Sequence, residues 1–257
     1  MFQADAFTSE LFKGNPAAVV PLDSWLDDEL LLSIALENNL SETAYLVPNG
    51  EGYHIRWFTP GVEVDLCGHA TLASSHVIFA ELGFTGQTIQ YQSRSGPLEV
   101  EIGERGYIMD FPAEAQTPCD IPEEIVKGLG LSPAAVYKGT DYLAVVESQQ
   151  VVEQLAPDFR EIARLDSRGL IVTAPGDDCD FVSRCFFPQT GVDEDPVTGS
   201  AHCQMTPFWT ECLGKREFVA RQLSTRGGEV KCELKGERGR LEGKAVTFFE
   251  GTIQIPD

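Results

Sequence analysis

Two short segments of the chain combine carboxylates, small residues and a histidine at spacings that suit a binding or catalytic site. The first, GVEVDLCGHA, occupies residues 61–70, and the second, GVDEDPVTGSAH, occupies residues 191–202. A mostly apolar run with helical spacing follows each segment, so the Gly-His and Gly-Ser pairs are predicted to open helices. The first turn of a helix exposes unsatisfied N–H groups and a partial positive charge, which suit a carboxylate ligand.

These two segments belong to a longer internal repeat. They align glycine with glycine and Asp65 with Asp195, and each follows an aromatic stretch. A second pair of similar segments lies downstream of them, SRSGPLEVEIGERG at 93–106 and TRGGEVKCELKGERG at 225–239. Both read as hairpin strands around a Gly-Glu-Arg-Gly turn. Because the similar segments occur in the same order in both parts of the chain, the chain is predicted to contain two similar domains.

The repeat and the local patterns predict an α+β fold with two pseudo-symmetric domains. Strand patterns dominate and rarely alternate with helices, which disfavours a doubly wound parallel sheet. The apolar run at 70–82 predicts a helix buried on most sides, so each domain is expected to be a mixed β-sheet rolled around a central helix. The segment 111–124 is rich in proline and acid. It places an N-terminal lobe at 1–115 and a C-terminal lobe at 116–257, whose last strand could pack back on the first lobe.

If both domains share one fold, residues 68–69 and 199–200 would face each other across the interface. Two helix N-termini directed at one cleft would then bind a carboxylate without any lysine or arginine. The simpler alternative for each segment alone is a helix cap, since aspartate is common at helix starts. We favour capping for Asp65, whereas the more acidic segment around Asp195 favours a functional role.

Composition excludes several classes of function. The formal net charge of −21 argues against nucleic acid or anionic lipid as a main partner, because both require basic surface. No run of about 18 apolar residues occurs, so no membrane span is expected. The N-terminus lacks a basic region followed by an apolar stretch, so no signal peptide is expected. The seven cysteines are odd in number and include no CxxC pair, which favours a reducing cytoplasm over a disulfide framework.

Two cysteine–histidine pairs in the sequence contain side chains of the kind that bind zinc. Cys67 with His69 and His202 with Cys203 supply four potential ligands. Their spacings match no common zinc signature, so no metal site is predicted.

At these residues a family resemblance becomes specific. The chain resembles the PhzF-like family, named for the phenazine-biosynthesis isomerase, and the similarity runs from end to end. The motifs that carry it are DAFTSELFKGNPAAVV (5–20), NLSETAYLV (39–47), IRWFTPGVEVDLCGHATLAS (55–74) and CFFPQTGVDEDPVTGSAH (185–202). The resemblance implies the diaminopimelate epimerase-like fold, shared with proline racemase, in which two similar lobes enclose the active site.

The resemblance also implies roles for individual residues. Glu42 in the SET motif would be the general acid/base, with His69 and Asp195 as further catalytic residues. The expected substrate-binding residues are Gly68, Gly199, Ser200, Thr198, Asn15 and Cys67. The family enzyme works without metal or organic cofactor on a small amino hydroxy acid, and the family often forms homodimers. An isomerase of biosynthetic metabolism with no cofactor is therefore expected.

Glu42 is chemically suited to such a role. A base that removes a carbon-bound proton must lie in a pocket poor in water, and the apolar TAYLV sequence after Glu42 could raise the pKa of its carboxyl by desolvation. The same carboxyl could return the proton at another carbon. Two other classes of function stay open, namely a non-catalytic protein that binds or senses a small carboxylate, and an interaction scaffold that retains the fold. His54 and His76 are expected to be structural.

The chain departs from the racemase relatives at one point. Those relatives use a cysteine at each helix start, and Cys67 is present in the corresponding LCG sequence. Asp195-Pro196 occupies the second position, and Cys203 lies too far into the helix. A two-cysteine racemase is therefore not predicted, although a pair of Cys67 with Asp195 or with Glu42 stays open. The phenazine enzyme also differs around its Gly-His pair, so the reaction class is carried over but the substrate is not.

Overall fold

The computed structural model describes residues 1–255, which form two compact units. The first unit contains Met1–Asp110 and the C-terminal segment from Glu242 onward, and the second contains Phe111–Leu241. The sequence-based division places the lobe boundary at 115 and assigns everything from 116 to the second lobe. In the structure the final strand, Ala245–Glu250, pairs antiparallel with the first strand, Phe2–Ala6.

The first unit is a mostly antiparallel sheet with one surface helix and one central helix. Its helices are α1 (Asp28–Asn38) and α2 (Gly68–His76), and a π-helical turn (Val77–Glu81) extends α2. Its strands are β1 (Phe2–Ala6), β2 (Asn15–Pro21), β3 (Glu42–Asn49), β4 (Gly52–Phe58), β5 (Glu63–Val64), β6 (Thr88–Ser93), β7 (Gly96–Ile102), β8 (Tyr107–Pro112) and β18 (Ala245–Glu250). The sequence predicts strands at AAVVPL, TAYLVP, YHIRWF, TIQYQS, LEVEIG and YIMDFP. These predictions are confirmed as β2, β3, β4, β6, β7 and β8.

The second unit has the same kind of sheet and more short helices. Its helices are α3 (Glu123–Leu129), α4 (Gln149–Gln154), α5 (Phe159–Ile162) and the long α6 (Gly199–Leu213), with a 3₁₀ turn at Pro188–Thr190. Its strands are β9 (Thr117–Cys119), β10 (Ala135–Lys138), β11 (Tyr142–Val145), β12 (Leu170–Pro175), β13 (Phe181–Phe187), β14 (Val192–Asp195), β15 (Glu217–Gln222), β16 (Gly228–Lys235) and β17 (Arg238–Gly243).

The strand pairing repeats between the two units. In the first, β1 and β2 are antiparallel, β2 and β3 parallel, β3 and β4 antiparallel, and β4 and β6 parallel. In the second, β10–β11, β11–β12, β12–β13 and β13–β15 follow the same alternation. In each unit the second parallel connection contains the helix that was expected at its centre, α2 or α6. Two parallel neighbouring strands need a crossover connection between them. The strand order therefore determines where in each unit the central helix begins.

Both central helices are buried along most of their length, which confirms the α+β fold with a sheet rolled around a helix. In α2, seven successive residues from His69 to Ser75 are buried. In α6 the buried residues include Gly199 and Trp209, and the C-cap is Gly214 in the left-handed conformation. Glycine directly after an apolar run with helical spacing predicts this helix end from the sequence. Within residues 1–255, no helix has the length and apolar character needed to cross a membrane.

Helix α1 begins later than its pattern indicates. Residues 24–39 carry apolar side chains at helical spacing, which predicts a helix over the whole segment. The first helical residue is Asp28, and Trp25 and Leu26 instead pack against the core around Leu31. The helix ends at Asn39, whose φ of 49° places it in the left-handed region that asparagine tolerates. The buried hydroxyl of Tyr45 donates to a carbonyl of this helix at 2.6 Å and attaches it to β3.

The burial of α2 leads to a stability prediction. Leu72 is fully buried on α2, so Leu72→Ala removes side-chain contacts and leaves a cavity. We expect a loss of about 2–5 kcal/mol in the free energy of unfolding, measured by urea denaturation. Leu36→Ala on α1 is the matched control, since that side chain is 60% exposed and should change stability little. Equal losses for the two variants would contradict a buried central helix.

Candidate active site

In the first unit, Glu42, Cys67 and His69 form one cluster. Glu42 is the first residue of β3 and pairs with Ala17 in the neighbouring parallel strand. His69 is the second residue of α2, and Cys67 is its N-cap. The His69 Nε2 atom lies 3.2 Å from Glu42 Oε2, and its Nδ1 atom lies 3.5 Å from Cys67 Sγ. The imidazole therefore stands between a carboxylate and a thiol.

The imidazole of His69 is neutral at physiological pH. Burial lowers its pKa to about 3, because the charged form would lose its hydration. A neutral imidazole has one N–H and one lone pair, so it can donate to one neighbour and accept from the other. Glu42 thus contacts a polar group that carries no positive charge. Its side chain is 18% exposed, which leaves the carboxylate accessible from one side.

The expected binding residue Asn15 lies close to this cluster along the sheet. It is the first residue of β2 and is fully buried, two positions before Ala17, the register partner of Glu42. Gly68 is the first residue of α2. The structure thus brings Cys67 and His69 together with Glu42, and it places the start of β2 beside the same strand end.

The same three side chains are close enough to act as ligands of one metal ion. One ligand atom from each of Glu42, Cys67 and His69 lies within 4.8 Å of the other two. A thiolate, an imidazole and a carboxylate would form a donor set typical of zinc. The sequence spacing argues against such a site, and the expectation of a metal-free protein stays a prediction.

In the second unit, Asp195 and Thr198 form a locked turn before α6. Thr198 donates its hydroxyl to Asp195 Oδ2 at 2.5 Å. Gln222 of β15 holds both ends of this turn, because its Nε2 donates to the Asp195 carbonyl at 2.7 Å and its Oε1 accepts from the Thr198 amide at 2.9 Å. Gln222 is fully buried and was not identified from sequence. Its contact with the turn depends on the parallel pairing of β13 and β15, which no local pattern reveals.

The three acids of the DEDP sequence have different environments. Asp193 is exposed, while Glu194 forms a two-point ion pair with Arg184 of β13 at 2.8 and 2.9 Å. Asp195 contacts the helix start through Thr198. An arginine–carboxylate pair of this kind is structural in geometry, since both oxygens are occupied. The functional role expected for Asp195 stays a prediction.

Ser200 is exposed at the second position of α6, directly after the buried Gly199. Its hydroxyl oxygen accepts a hydrogen bond from Arg168 Nη2 at 2.9 Å. Arg168 in turn forms a two-point pair with Asp141, which is fully buried. The sequence analysis missed both residues. Their separations along the chain are 27 and 32 positions, so only the sheet register brings them to the helix start.

The start of each central helix lacks a side-chain cap. Neither Cys67 at α2 nor Thr198 at α6 accepts a hydrogen bond from the following amides with its side chain. The capping role favoured for Asp65 is wrong. Its exposed carboxylate instead lies 3.3 Å from Arg94, and Cys67, two residues later, occupies the N-cap position. Both helix starts thus present first-turn N–H groups beside polar side chains, which suits an anionic ligand.

The remaining histidines behave as structural groups. His76 contacts the Tyr107 hydroxyl at 3.1 Å and the Thr247 hydroxyl at 3.0 Å. His202 is fully buried on α6, where its Nδ1 lies 2.7 Å from the Thr198 carbonyl and therefore carries the proton. His54 lies half-buried on β4. The prediction that both helix starts serve one cleft stays a prediction.

Comparison with known proteins now adds the family. Residues 4–251 match the sequence profile described as phenazine biosynthesis-like protein. The chain belongs to the phenazine biosynthesis-like family. It is 48% identical over 255 residues to a protein of Pseudomonas aeruginosa named as an uncharacterized isomerase, covering 99% of this chain and 98% of that protein. It is similar to the crystal structure of an Enterococcus faecalis PhzF-family protein, with a TM-score of 0.97, 44% identity and coverage of 99% and 98% of the two chains.

A more distant structure shares the fold alone. It is a probable proline racemase from Agrobacterium radiobacter, which covers 99% of this chain and 92% of its own length with a TM-score of 0.65 and 11% identity. The family resemblance and the epimerase-type fold inferred from sequence are thereby confirmed.

The buried histidines predict a pH dependence of stability. Burial lowers the pKa of His69 to about 3 and that of His202 to about 4, whereas unfolded histidine titrates near 6.5. Below about pH 6.5 the unfolded chain therefore binds protons that the folded chain does not, and stability falls as pH falls. Each residue should contribute up to about 2 kcal/mol of loss between pH 7.5 and pH 5.

Urea denaturation at several pH values measures this loss. The window ends at pH 5 because most carboxylates titrate below it. His202→Gln should reduce the slope of unfolding free energy against pH, whatever it does to stability at pH 7.5. An unchanged slope would show that folding does not lower the pKa of His202.

Proposed function

We propose that this chain is an isomerase or epimerase that moves a carbon-bound proton on a small amino or hydroxy carboxylic acid. Glu42 is the general acid/base in this proposal. The observation that carries it is the 3.2 Å contact between Glu42 and the neutral, buried His69 at the start of α2. The reaction class is supported by relatives named as isomerases, of which the Pseudomonas aeruginosa protein is one.

The proposed step transfers one proton and returns it. The Glu42 carboxylate accepts a proton from a substrate carbon, and the electron pair of that C–H bond is delocalised into the adjacent unsaturated group. The resulting carboxylic acid then donates the proton to the same substrate at a second carbon. Substrate and product have the same oxidation state, so the step needs no redox cofactor, and we propose that no metal or organic cofactor takes part.

Other residues of the site support this step. The imidazole of His69 lies 3.2 Å from the Glu42 carboxylate and, being neutral, does not hold it by charge, so in this proposal Glu42 can exchange its proton. Asp195 orients the substrate or relays protons. We assign the substrate carboxylate to the helix starts, where Gly68 and Gly199 permit close backbone approach and Ser200 offers a hydroxyl.

Two other functions remain as alternatives to be tested. A carboxylate-binding or sensing protein would use the same donors without turnover, and a scaffold would need none of these side chains. We infer a small carboxylate as partner, and not nucleic acid, because the net charge is −21. The homodimer and the cytoplasmic location stay predictions of the sequence.

Glu42→Gln should abolish proton exchange and keep substrate binding. The measurement is loss of carbon-bound proton signals by NMR in D₂O, with a panel of small cyclic and acyclic amino and hydroxy acids. Removal of a general acid/base is expected to lower the exchange rate by about 10²–10⁴-fold or more. The amide is nearly isosteric with the carboxyl, so binding of the exchanging compound should persist.

Glu37→Gln is the matched control, since Glu37 is exposed on α1 and should leave exchange unchanged. Carboxylate binding without exchange by any compound would favour the sensing protein. Exchange that survives Glu42→Gln would sink the assignment of Glu42. Absence of both exchange and binding, with no effect of Ser200→Ala or His69→Ala in the cell, would favour the scaffold.

Cys67→Ser tests the open alternative of a two-base mechanism. If Glu42 alone removes and returns the proton, the exchange rate should stay within a factor of about ten, well short of the loss for a general acid/base. Cys212→Ser is the control, because Cys212 is exposed at the far end of α6. A loss comparable to that of Glu42→Gln would instead assign Cys67 as the second base and favour epimerisation.

A further inference from the structure

The repeated fold places a charged side chain at the same corner of each unit. In the first, Glu42 begins β3 and contacts His69, the second residue of α2. In the second, Arg168 lies two positions before Leu170, which begins β12, and contacts Ser200, the second residue of α6. Strands β3 and β12 hold equivalent places in the strand order. The corner that carries the candidate base in one unit therefore carries a guanidinium in the other.

The guanidinium of Arg168 is fixed in place. Its Nε donates to Asp141 Oδ1 at 3.0 Å, and its Nη2 donates to Asp141 Oδ2. Asp141 also accepts from Gln204 Nε2 at 2.9 Å, and Gln204 lies one turn after Ser200 on α6. The ring of Phe187 packs against the guanidinium at 5.1 Å. Asp141 and Arg168 therefore hold the start of α6 through Ser200 in its first turn and Gln204 in its second.

The guanidinium keeps donors that the protein does not use. Of its five N–H groups, one on Nε and two on Nη2 are directed at Asp141 and Ser200. Within residues 1–255 Nη1 donates to no protein acceptor, and the side chain is 39% exposed. Ser200 is also exposed, and because its oxygen accepts from Arg168, its own proton is available to a ligand.

We propose that Arg168 is a specificity-determining residue of the carboxylate site at Ser200. Its Nη2 holds the Ser200 hydroxyl in position, and its Nη1 binds an oxygen of the carboxylate that Ser200 contacts. Asp141 is the positioning residue that holds Arg168. This inference rests on the proposed function, in which Ser200 binds the substrate carboxylate. The alternative is that Arg168 serves only to neutralise the buried Asp141.

Arg168→Lys separates these two roles. Lysine retains a positive charge beside Asp141 but lacks the planar fork, so it cannot hold Asp141 at two points, hold Ser200 and offer Nη1 together. The probe is acetate, titrated at constant ionic strength while the backbone amide signals of Gly199 and Ser200 are followed by NMR. We expect acetate to bind about tenfold more weakly to the variant.

The controls keep the test independent of folding. Arg160→Lys is the matched variant, since Arg160 lies on α5 and its side chain contacts neither Asp141 nor Ser200. The double variant Asp141→Asn with Arg168→Gln removes the buried charge pair as a unit and should lose affinity for acetate without an unpaired buried charge. In the Ser200→Ala background, Arg168→Lys should weaken acetate binding by much less than tenfold, because part of its effect acts through Ser200.

Equal acetate affinity in the wild type, Arg168→Lys and Arg160→Lys would overturn the specificity role and leave the proposed function intact. If acetate shifts neither amide signal in the wild type, the inference fails together with the carboxylate site at Ser200. Exchange in D₂O that depends on Glu42 would still stand in that case, so the two failures are distinguishable.

Discussion

A helix buried inside a rolled sheet must begin somewhere, and its first N–H groups then lie where unpaired polar atoms are costly. Helix α2 is buried from its second residue onward, and α6 is buried at its first. Neither N-cap side chain accepts from the following amides. Polar side chains lie at this helix start in each unit, namely Glu42 and His69 in the first and Arg168 and Ser200 in the second. The position of the proposed site thus follows from where the fold places the start of each central helix.

Glu63 and Glu194 differ from Glu42 in the charge of the side chain that contacts their carboxylate. Glu63 and Glu194 lie on the equivalent strands β5 and β14, and each is bound at both oxygens by an arginine of the neighbouring strand, Arg56 or Arg184. Such pairs hold the short strands in place. Glu42 instead meets an imidazole whose pKa burial lowers to about 3. A neutral partner does not oppose protonation of a carboxyl as a guanidinium would, which is the reason that the proposed mechanism uses Glu42 and not Glu63 or Glu194.

Much of this arrangement could be predicted from sequence because the repeat is local in pattern. In the strand at 88–93 apolar and polar residues alternate from Thr88 to Gln92, so this strand could be recognised from local pattern alone. The residues of the Gly-His and Gly-Ser pairs are adjacent to the helices that they open. The Arg168–Asp141 pair and Gln222 could not be found this way, since their partners lie 24 or more positions away and meet through strand register.

Asp65 shows why a correct motif does not assign every member. Aspartate is common at helix starts, yet the chain enters α2 two residues later, with Cys67 as N-cap. The Asp65 carboxylate instead accepts a hydrogen bond at 3.3 Å from Arg94, just after β6. Asp195, its counterpart in the repeat, stays at the helix start because the Gln222 side chain donates to its carbonyl and holds the turn. The two halves therefore diverged through residues outside the motif, which decide whether its acid faces the helix.

The proposed carboxylate site also requires a reason why the acidic protein would not repel its ligand. The net charge is −21, but at physiological ionic strength charges more than about 8 Å apart are largely screened. A bound carboxylate therefore responds chiefly to groups in contact with it. At Ser200 those groups are a hydroxyl, first-turn amides and the guanidinium of Arg168, whose charge is balanced by Asp141 but whose Nη1 donors are unused by the protein. A balanced guanidinium selects by geometry more than by charge, so a planar carboxylate is favoured over a simple halide ion.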